Sequence, residues 1–333
     1  MSNRSFRLCP AIAIAILLTL TLFTPLGAAA ADAPSLTWVQ LTPPNSPPAR
    51  GAAAMAYDPV SKRIVLFGGT TATKYLNDTW TFDGTTWTQV NTPVAPPARA
   101  SGMMAYDFPT RKLVMFGGFD SDYLGDTWIF DGATQTWTQA NPLKSPGPLG
   151  GCLLFTDPKN GRVDLFGGFN HNRKVRYPID TWRWTGTSWR KLHPATSPEG
   201  RSSGAVGNDP ARKNVVISGG LGDLMTENTW TWDGSDWTEQ VPVTQMPYVF
   251  YTSTAYAPPF QAVLVFGGDE VTGAENTTWA WTGSDWIQLQ PLQSPPVRDS
   301  PAMAYDFASR QLIMFGGAGL EAYLNDTWKL TRP

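Results

Sequence analysis

Cysteine is nearly absent: the 333 residues hold two, Cys9 and Cys152, and Cys9 falls in an N-terminal leader pattern. A single remaining cysteine cannot close an intramolecular disulfide, so packing alone must hold the fold. Cys152 sits in an apolar run and reads as a small buried hydrophobe. Histidine is as scarce, with only His171 and His193, too few for a histidine-based metal centre; no metal site and no cofactor are expected. Charge is thin as well. Charged residues make up 16% of the chain, the net charge is −2 and no block of Lys or Arg occurs, which leaves no electrostatic footprint for a phosphate backbone and excludes nucleic acid as an expected partner. No G-x-S-x-G elbow with a placed histidine, no P-loop and no zinc pattern appears, so motifs nominate no catalytic residue. What is plentiful is turn and bulk: Gly 31, Pro 29 and Trp 15, with 42% hydrophobic residues. That composition argues against disorder and for many short elements joined by turns.

The first residues read as an address. Arg4 and Arg7 precede an apolar run from Ala11 to Phe23, followed by Pro25, Gly27 and the small residues Ala28 to Ala31. This is the pattern of a secretory signal peptide over residues 1–31. The apolar run is shorter than the roughly 20 residues a spanning helix needs, and Pro25 interrupts it, so cleavage is expected rather than anchoring. The expected mature chain is extracytoplasmic (secreted, periplasmic or at the cell surface), has no membrane span, and carries 23 basic against 27 acidic residues.

Internal repetition organises the rest. A Gly-Gly pair closes an apolar run at Gly68-Gly69, Gly117-Gly118, Gly167-Gly168, Gly219-Gly220, Gly267-Gly268 and Gly316-Gly317, in steps of 49, 50, 52, 48 and 49. A tryptophan follows each pair, at Trp80, Trp128, Trp182, Trp230, Trp279 and Trp328, usually after Asp-Thr. A second follows across a tight turn, at Trp87, Trp137, Trp189, Trp237 and Trp286. Asp83-Gly84 and Asp233-Gly234 between the two tryptophans favour the positive φ angles of a short hairpin. Another apolar segment, rich in Ala, Gly and Met, precedes each Gly-Gly run, giving four strand candidates per unit. Narrow side chains suit strands that converge on an axis, and the glycines suit strand ends where backbones crowd. A sheet apolar on both faces must stack on neighbours, and radial stacking gives a propeller. The repeats run over about 50–98, 99–148, 149–200, 201–248, 249–297 and 298–333. The last lacks a fourth strand, whereas Leu36-Thr37-Trp38-Val39-Gln40-Leu41 matches Thr85-Thr86-Trp87-Thr88-Gln89-Val90. The expected fold is therefore all-β, one six-bladed β-propeller over residues 35–333, its last blade closed by the N-terminal strand at 35–41 so that no sheet edge is left open. A monomer is expected.

These units resemble kelch repeats: an arginine before the first strand, a Gly-Gly after the second, then an aromatic pair about a short turn. The resemblance implies a binding surface on the face formed by the loops from second to third strand and from fourth strand to the next blade. That face would carry Arg50, Arg99, Arg201 and Arg298, with Leu149 and Val249 interrupting the series, and Tyr75, Tyr123, Tyr177 and Tyr323, each three residues before Asp78, Asp126, Asp180 and Asp326. Repetition favours architecture for each of these: arginines bonded to carbonyls, tyrosines filling gaps between blades, and aspartates capping loop amides. Residues outside the repeat are better functional candidates, above all His171, Arg173 and Arg176 in the longest loop, with Asp120, Asp122, Asp223, Asp269, Glu270 and Glu321 around the same rim. Copper oxidases on kelch-like propellers use histidine and tyrosine ligands, and this chain lacks the histidines. Two functions stay open: a non-catalytic module binding a protein or carbohydrate through its loop face, which is favoured, and a sugar-modifying enzyme similar to the exported kelch sialic-acid mutarotases, with arginines steering a carboxylate and a loop acid or His171 moving protons.

Overall fold

Each repeat folds as a four-stranded antiparallel sheet in a computed structural model that describes residues 36–224, 227–270 and 273–332; the leader pattern lies outside them. The chain opens with β1 (Thr37–Leu41). Blade one is β2 (Ala54–Asp58), β3 (Arg63–Phe67), β4 (Thr79–Phe82) and β5 (Trp87–Val90). Blade two is β6 (Met103–Asp107), β7 (Lys112–Phe119), β8 (Tyr123–Asp131) and β9 (Thr136–Ala140). Blade three is β10 (Leu153–Thr156), β11 (Val163–Phe166), β12 (Thr181–Trp184) and β13 (Trp189–Lys191). After β14 (Arg201–Ser202), blade four comprises β15 (Ala205–Asp209), β16 (Asn214–Ser218), β18 (Thr229–Trp232) and β19 (Trp237–Gln240), with β17 (Leu221–Gly222) pairing β14. Blade five comprises β20 (Ser253–Ala257), β21 (Ala262–Phe266), β24 (Thr278–Trp281) and β25 (Trp286–Leu289), with a ribbon of β22 (Asp269–Glu270) and β23 (Gly273–Ala274) on its loop. The sixth sheet is β26 (Ala302–Asp306), β27 (Gln311–Ala318), β28 (Tyr323–Thr331) and β1, which runs antiparallel along β28 from Thr37 opposite Thr331 to Leu41 opposite Thr327. Six blades thus surround one axis: the inner strands pack in the order β2, β6, β10, β15, β20, β26 and back to β2.

Three concentric rings of hydrogen bonds join the blades, and each explains one periodic residue. At the periphery, every outer tryptophan donates its indole N–H to a threonine of the preceding blade: Trp137 to Thr79, Trp189 to Thr127, Trp237 to Thr181, Trp286 to Thr229, Trp38 to Thr278 and Trp87 to Thr327, at 2.9–3.1 Å. Trp38 on β1 occupies the sixth place in that series. Five of these indoles also meet a phenylalanine of the preceding blade, as Trp137 does Phe67 at 5.2 Å in an edge-to-face pair. Midway, the second glycine of each pair donates to a carbonyl of the next blade, for example Gly69 N–H to the Arg99 carbonyl at 2.8 Å. Gly68 stands at φ +66, where a Cβ would come within 2.7 Å of that same carbonyl. Only glycine fits this approach without displacing the next blade. Innermost, the backbone N–H of Ala52, Ser101, Gly151, Ser203, Tyr251 and Ser300 each bonds the carbonyl of the equivalent residue in the preceding blade at 2.7–3.1 Å, and the sixth bond returns to the first.

Candidate functional site

Arg50, Arg99, Arg201 and Arg298 lie at the blade entrances on the loop face, yet none is more than 1% exposed. Arg50 holds Asp78 through both terminal nitrogens, at 2.5 and 2.7 Å. It also donates to the Gly68 carbonyl at 3.0 Å and, through Nε, to the Pro48 carbonyl at 3.0 Å. Arg99 does the same with Asp126, Gly117 and Pro97, and Arg298 with Asp326, Gly316 and Pro296. Each guanidinium therefore ties its blade's entrance strap to the loop between second and third strands, and its donors face protein rather than a ligand. The aspartates differ from the expected amide caps: Asp78, Asp126 and Asp326 accept from these arginines and from the indole N–H of Trp80, Trp128 and Trp328. Burial raises the Asp78 and Asp126 carboxyls, but the hydrogen bonds and charge of Arg50 and Arg99, together with the Trp80 and Trp128 indole bonds and each residue's own backbone amide, outweigh it and hold both below the usual carboxylate range. Arg201 meets Asn228 and Glu199 instead of a bidentate aspartate, and burial pushes it down to about 10. Where the arginine is Leu149 or Val249, that side chain is itself buried, and Asp180 pairs with Lys191 at 2.7 Å.

The tyrosines form a different kind of structure. Tyr75, Tyr123, Tyr177 and Tyr323 are half-buried; the rings of Tyr123 and Tyr323 pack on the glycines at the next blade's entrance, Gly150 and Gly51, while at Gly200 it is the Tyr177 backbone that lies close. Three of the four also join a continuous aromatic band on the loop face. Tyr75 meets Phe119 at 5.9 Å, Phe119 meets Tyr123 at 5.1 Å, Tyr123 meets Phe169 at 5.7 Å and Phe169 meets Tyr177 at 4.7 Å. His171 caps the band: its ring lies 5.3 Å from that of Tyr123 and its Nδ1 is 3.4 Å from the Tyr123 hydroxyl. The loop holding His171 reaches both neighbours, through Asn172 to Asp122 at 3.3 Å in blade two and through Arg176 to Asp223 at 3.1 Å in blade four. Arg173 donates to the Pro146 carbonyl at 3.4 Å, whereas Arg176 and His171 are exposed.

Three aromatic residues escape the repeat pattern. Tyr248, Phe250 and Tyr251 stack in series at blade five's entrance, with centroids 5.7 and 5.3 Å apart. Tyr251 occupies the innermost ring, where the other five blades place Ala52, Ser101, Gly151, Ser203 and Ser300. It is 37% exposed and holds φ +55, a conformation costing a bulky residue on the order of 1–3 kcal/mol. Burial pushes the Tyr251 hydroxyl up, followed by Asp299, Tyr177, Tyr123 and Asp269. Tyr248 is raised by burial and by Tyr177. Asp299 is itself pushed up by burial and by Asp269, against the hydrogen bond from Ser300. Two arcs of aromatic rings and the carboxylates of Asp269 and Asp299 thus lie on the loop face. The signal was available in the sequence, as Tyr248, Phe250 and Tyr251 where the other repeats place no aromatic residue, but it breaks the period and so stands outside the repeat motif.

Other candidates have structural surroundings. Cys152 is 2% exposed and burial pushes its thiol up to about 12, which leaves it a neutral packing residue at neutral pH. His193 is exposed beyond the outer strand of blade three. Among the described residues no group of three or more His, Cys, Asp or Glu is placed to hold a metal ion, and no helix is long and apolar enough to cross a membrane.

A closed ring of four-stranded blades, tied by Gly-Gly approaches and buried arginines and crowned on its loop face by aromatic side chains, defines a six-bladed propeller. The family follows from comparison with known proteins: a model of the KLHDC2/KLHL20/DRC7 Kelch-repeats domain matches residues 28–220, and the chain belongs to the kelch-repeat family. Comparison with curated proteins finds no match.

Proposed function

We propose that this kelch propeller is a non-catalytic interaction module whose loop face binds a polypeptide segment of a partner protein, with Tyr123, Tyr177, Tyr248 and Tyr251 as anchors. The observation that carries this reading is Tyr251, held at positive φ in the innermost ring beside Asp299 and within the influence of Tyr177 and Tyr123. Tyrosine suits the task because it offers a large rigid apolar body and a polar tip at low entropic cost. Arg173, Lys174 and Arg176 on one side of the mouth and Asp269 and Asp299 on another give the face both signs of charge. That combination favours a peptide with its own charged groups over a neutral sugar. The buried arginines add no contact. The leader pattern supports a meeting place outside the cytoplasm.

A displayed random-peptide library and a glycan array, both tested against the purified chain, separate the two ligand classes. The reading expects peptide ligands whose affinity falls at least tenfold in Tyr123→Ala/Tyr177→Ala and in Tyr251→Ser. Glycan ligands alone, or peptide affinity untouched by both variants, would overturn it.

A further inference from the structure

A cavity lies at the other end of the channel, where the hairpins joining first and second strands gather. It measures about 580 Å³, within the range of sites that enclose small molecules. Its walls are asymmetric. The penultimate residue of the inner strand is tyrosine in four blades that adjoin one another around the ring, Tyr256, Tyr305, Tyr57 and Tyr106; the equivalent residue in the remaining two is Asn208 and Thr156, the latter the last of β10. Phe307 extends the tyrosine arc, 4.8 Å from Tyr305 and 5.3 Å from Tyr57, and Phe108 extends it at 4.9 Å from Tyr106. Both phenylalanines are more than half exposed, at 54% and 58%. Below the rings the wall is alanine and methionine, including Met104 and Met303.

The charge pattern decides what such a cavity holds. Asp157 is the one carboxylate among the described lining residues, which include no lysine, arginine or histidine; it is fully buried and bonded to Arg183 at 2.6 Å. Behind the tyrosines, Asp58 is bonded by the amides of Val60 and Ser61, and Asp306 by those of Ala308 and Ser309. Arg111, Arg212 and Arg310 act on Tyr106, Tyr256 and Tyr305, each opposed by an aspartate of the same turn: Asp107, Asp209 and Asp306. Those arginines stand outside the lining, so an ionic ligand would find no unpaired charge in the cavity wall itself and would lose its hydration on entering. Burial pushes all four tyrosine hydroxyls up, so they remain protonated donors at neutral pH.

We infer that this end of the channel is a second binding site, separate from the loop face, for a neutral ring-containing small molecule that packs against the exposed rings of Phe108 and Phe307, meets the edges of the Tyr256–Tyr305–Tyr57–Tyr106 arc and turns a hydrogen-bonding edge toward Asn208. The inference goes beyond the partner-binding reading and uses none of its residues.

The neutral fluorophore N-phenyl-1-naphthylamine is the probe, titrated into the full chain, with its anionic relative 1-anilinonaphthalene-8-sulfonate as the charge control. The expected result is saturable binding of the neutral probe, at least tenfold tighter than the anion. Phe108→Ser/Phe307→Ser, which alters only exposed rings, should weaken it at least tenfold. Asn208→Trp, which fills the cavity from its rim and removes no wall, should do the same. Tyr123→Ala/Tyr177→Ala on the loop face should leave it unchanged. Absence of saturable binding, equal affinity for the anion, indifference to both cavity variants, or loss of binding in the loop-face variant would each overturn the inference, and the last would move the site to the opposite end.

Discussion

A guanidinium surrounded by its own blade makes Arg99 a structural residue, and the chain carries the control for that statement. In blade five the arginine position is Val249 and the aspartate position is Thr277, so both partners change together. Breaking a buried pair by removing one partner is costly because the other is left behind, whereas exchanging both for uncharged groups is far milder. Arg99→Leu should therefore destabilise the protein by about 3 kcal/mol in urea unfolding, and adding Asp126→Thr should restore at least half of it; a double variant as unstable as the single would contradict this. Asp164 supports a prediction of opposite electrostatic sense. It replaces the apolar residue that the other blades place mid-strand, faces Arg183 across the sheet at 2.6–2.7 Å and accepts the Trp232 indole N–H at 3.0 Å. Burial outweighs Arg183 and pushes its carboxyl up to about 6. A raised folded pKa means the native state holds the proton more tightly, so this group's stabilisation is complete below about pH 4 and is lost as pH rises through 6. Asp164→Asn should remove that slope, so that variant minus wild-type stability grows by roughly 2–3 kcal/mol from pH 4 to pH 7.5; an unchanged difference across that range would refute it. Identities of this kind are legible in sequence because they repeat or conspicuously fail to repeat. Their partners are not: Arg99 to Asp126 spans 27 residues within a blade, and Trp137 to Thr79 spans 58 and crosses between blades. The aspartates looked like amide caps for the same reason, since local bonding is what a short window of sequence suggests.

At the scale of the element, the strands follow from pattern alone, because apolar runs, Gly-Gly ends and short hairpins recur in phase. The fate of the inner strand shows where pattern stops. Its Ala, Gly and Met residues read as crowding at an axis, which describes its middle, yet the tyrosines before Asp58, Asp107, Ala257 and Asp306 open the same strands into a wide cavity at one end. Direction of splay is set by the twist of the sheets around the axis and has no local signature. The outer edge is better determined. β1 lies along β28 over five residue pairs, and Trp38 is fully buried between Phe266, at 5.2 Å, and its bond to Thr278. Trp38→Phe should cost about 1 kcal/mol, the worth of one hydrogen bond, whereas Trp38→Ala should cost about 3–5 kcal/mol through the cavity it leaves. A chain beginning at Thr42 should melt lower still and associate through the bared edge of β28, seen as a mass increase in light scattering. Equal melting of the two Trp38 variants would remove β1 from the stabilising structure.

For the whole molecule, the rings of inter-blade bonds treat all six junctions alike, including the one where the chain ends meet. Leu330 faces Trp38 as Phe82 faces Trp87, and blade one joins that second pair with the four residues Asp83-Gly84-Thr85-Thr86. The sixth blade therefore has the geometry of a covalent hairpin without the covalent link. A circular permutant follows directly: Leu330 joined to Trp38 by Asp-Gly-Thr-Thr, and the chain opened between Pro93 and Val94, both exposed on the strap between blades one and two. No strand is parted from its sheet by that cut, and the new turn closes a short loop, the least costly kind in chain entropy. If the ring is mechanically uniform, the permutant should fold, keep the parent's near-ultraviolet tryptophan signal and melt at or above the parent temperature, because its edge strand is now tethered. If the N-terminal strand instead must enter the sheet separately from β28, the permutant should fail to fold or melt more than about 10 °C below the parent, a difference that for a chain of this size corresponds to several kcal/mol. A thermal melt followed at the tryptophan signal distinguishes the two, and the second result would mean that the six junctions are not equivalent despite their identical hydrogen bonds.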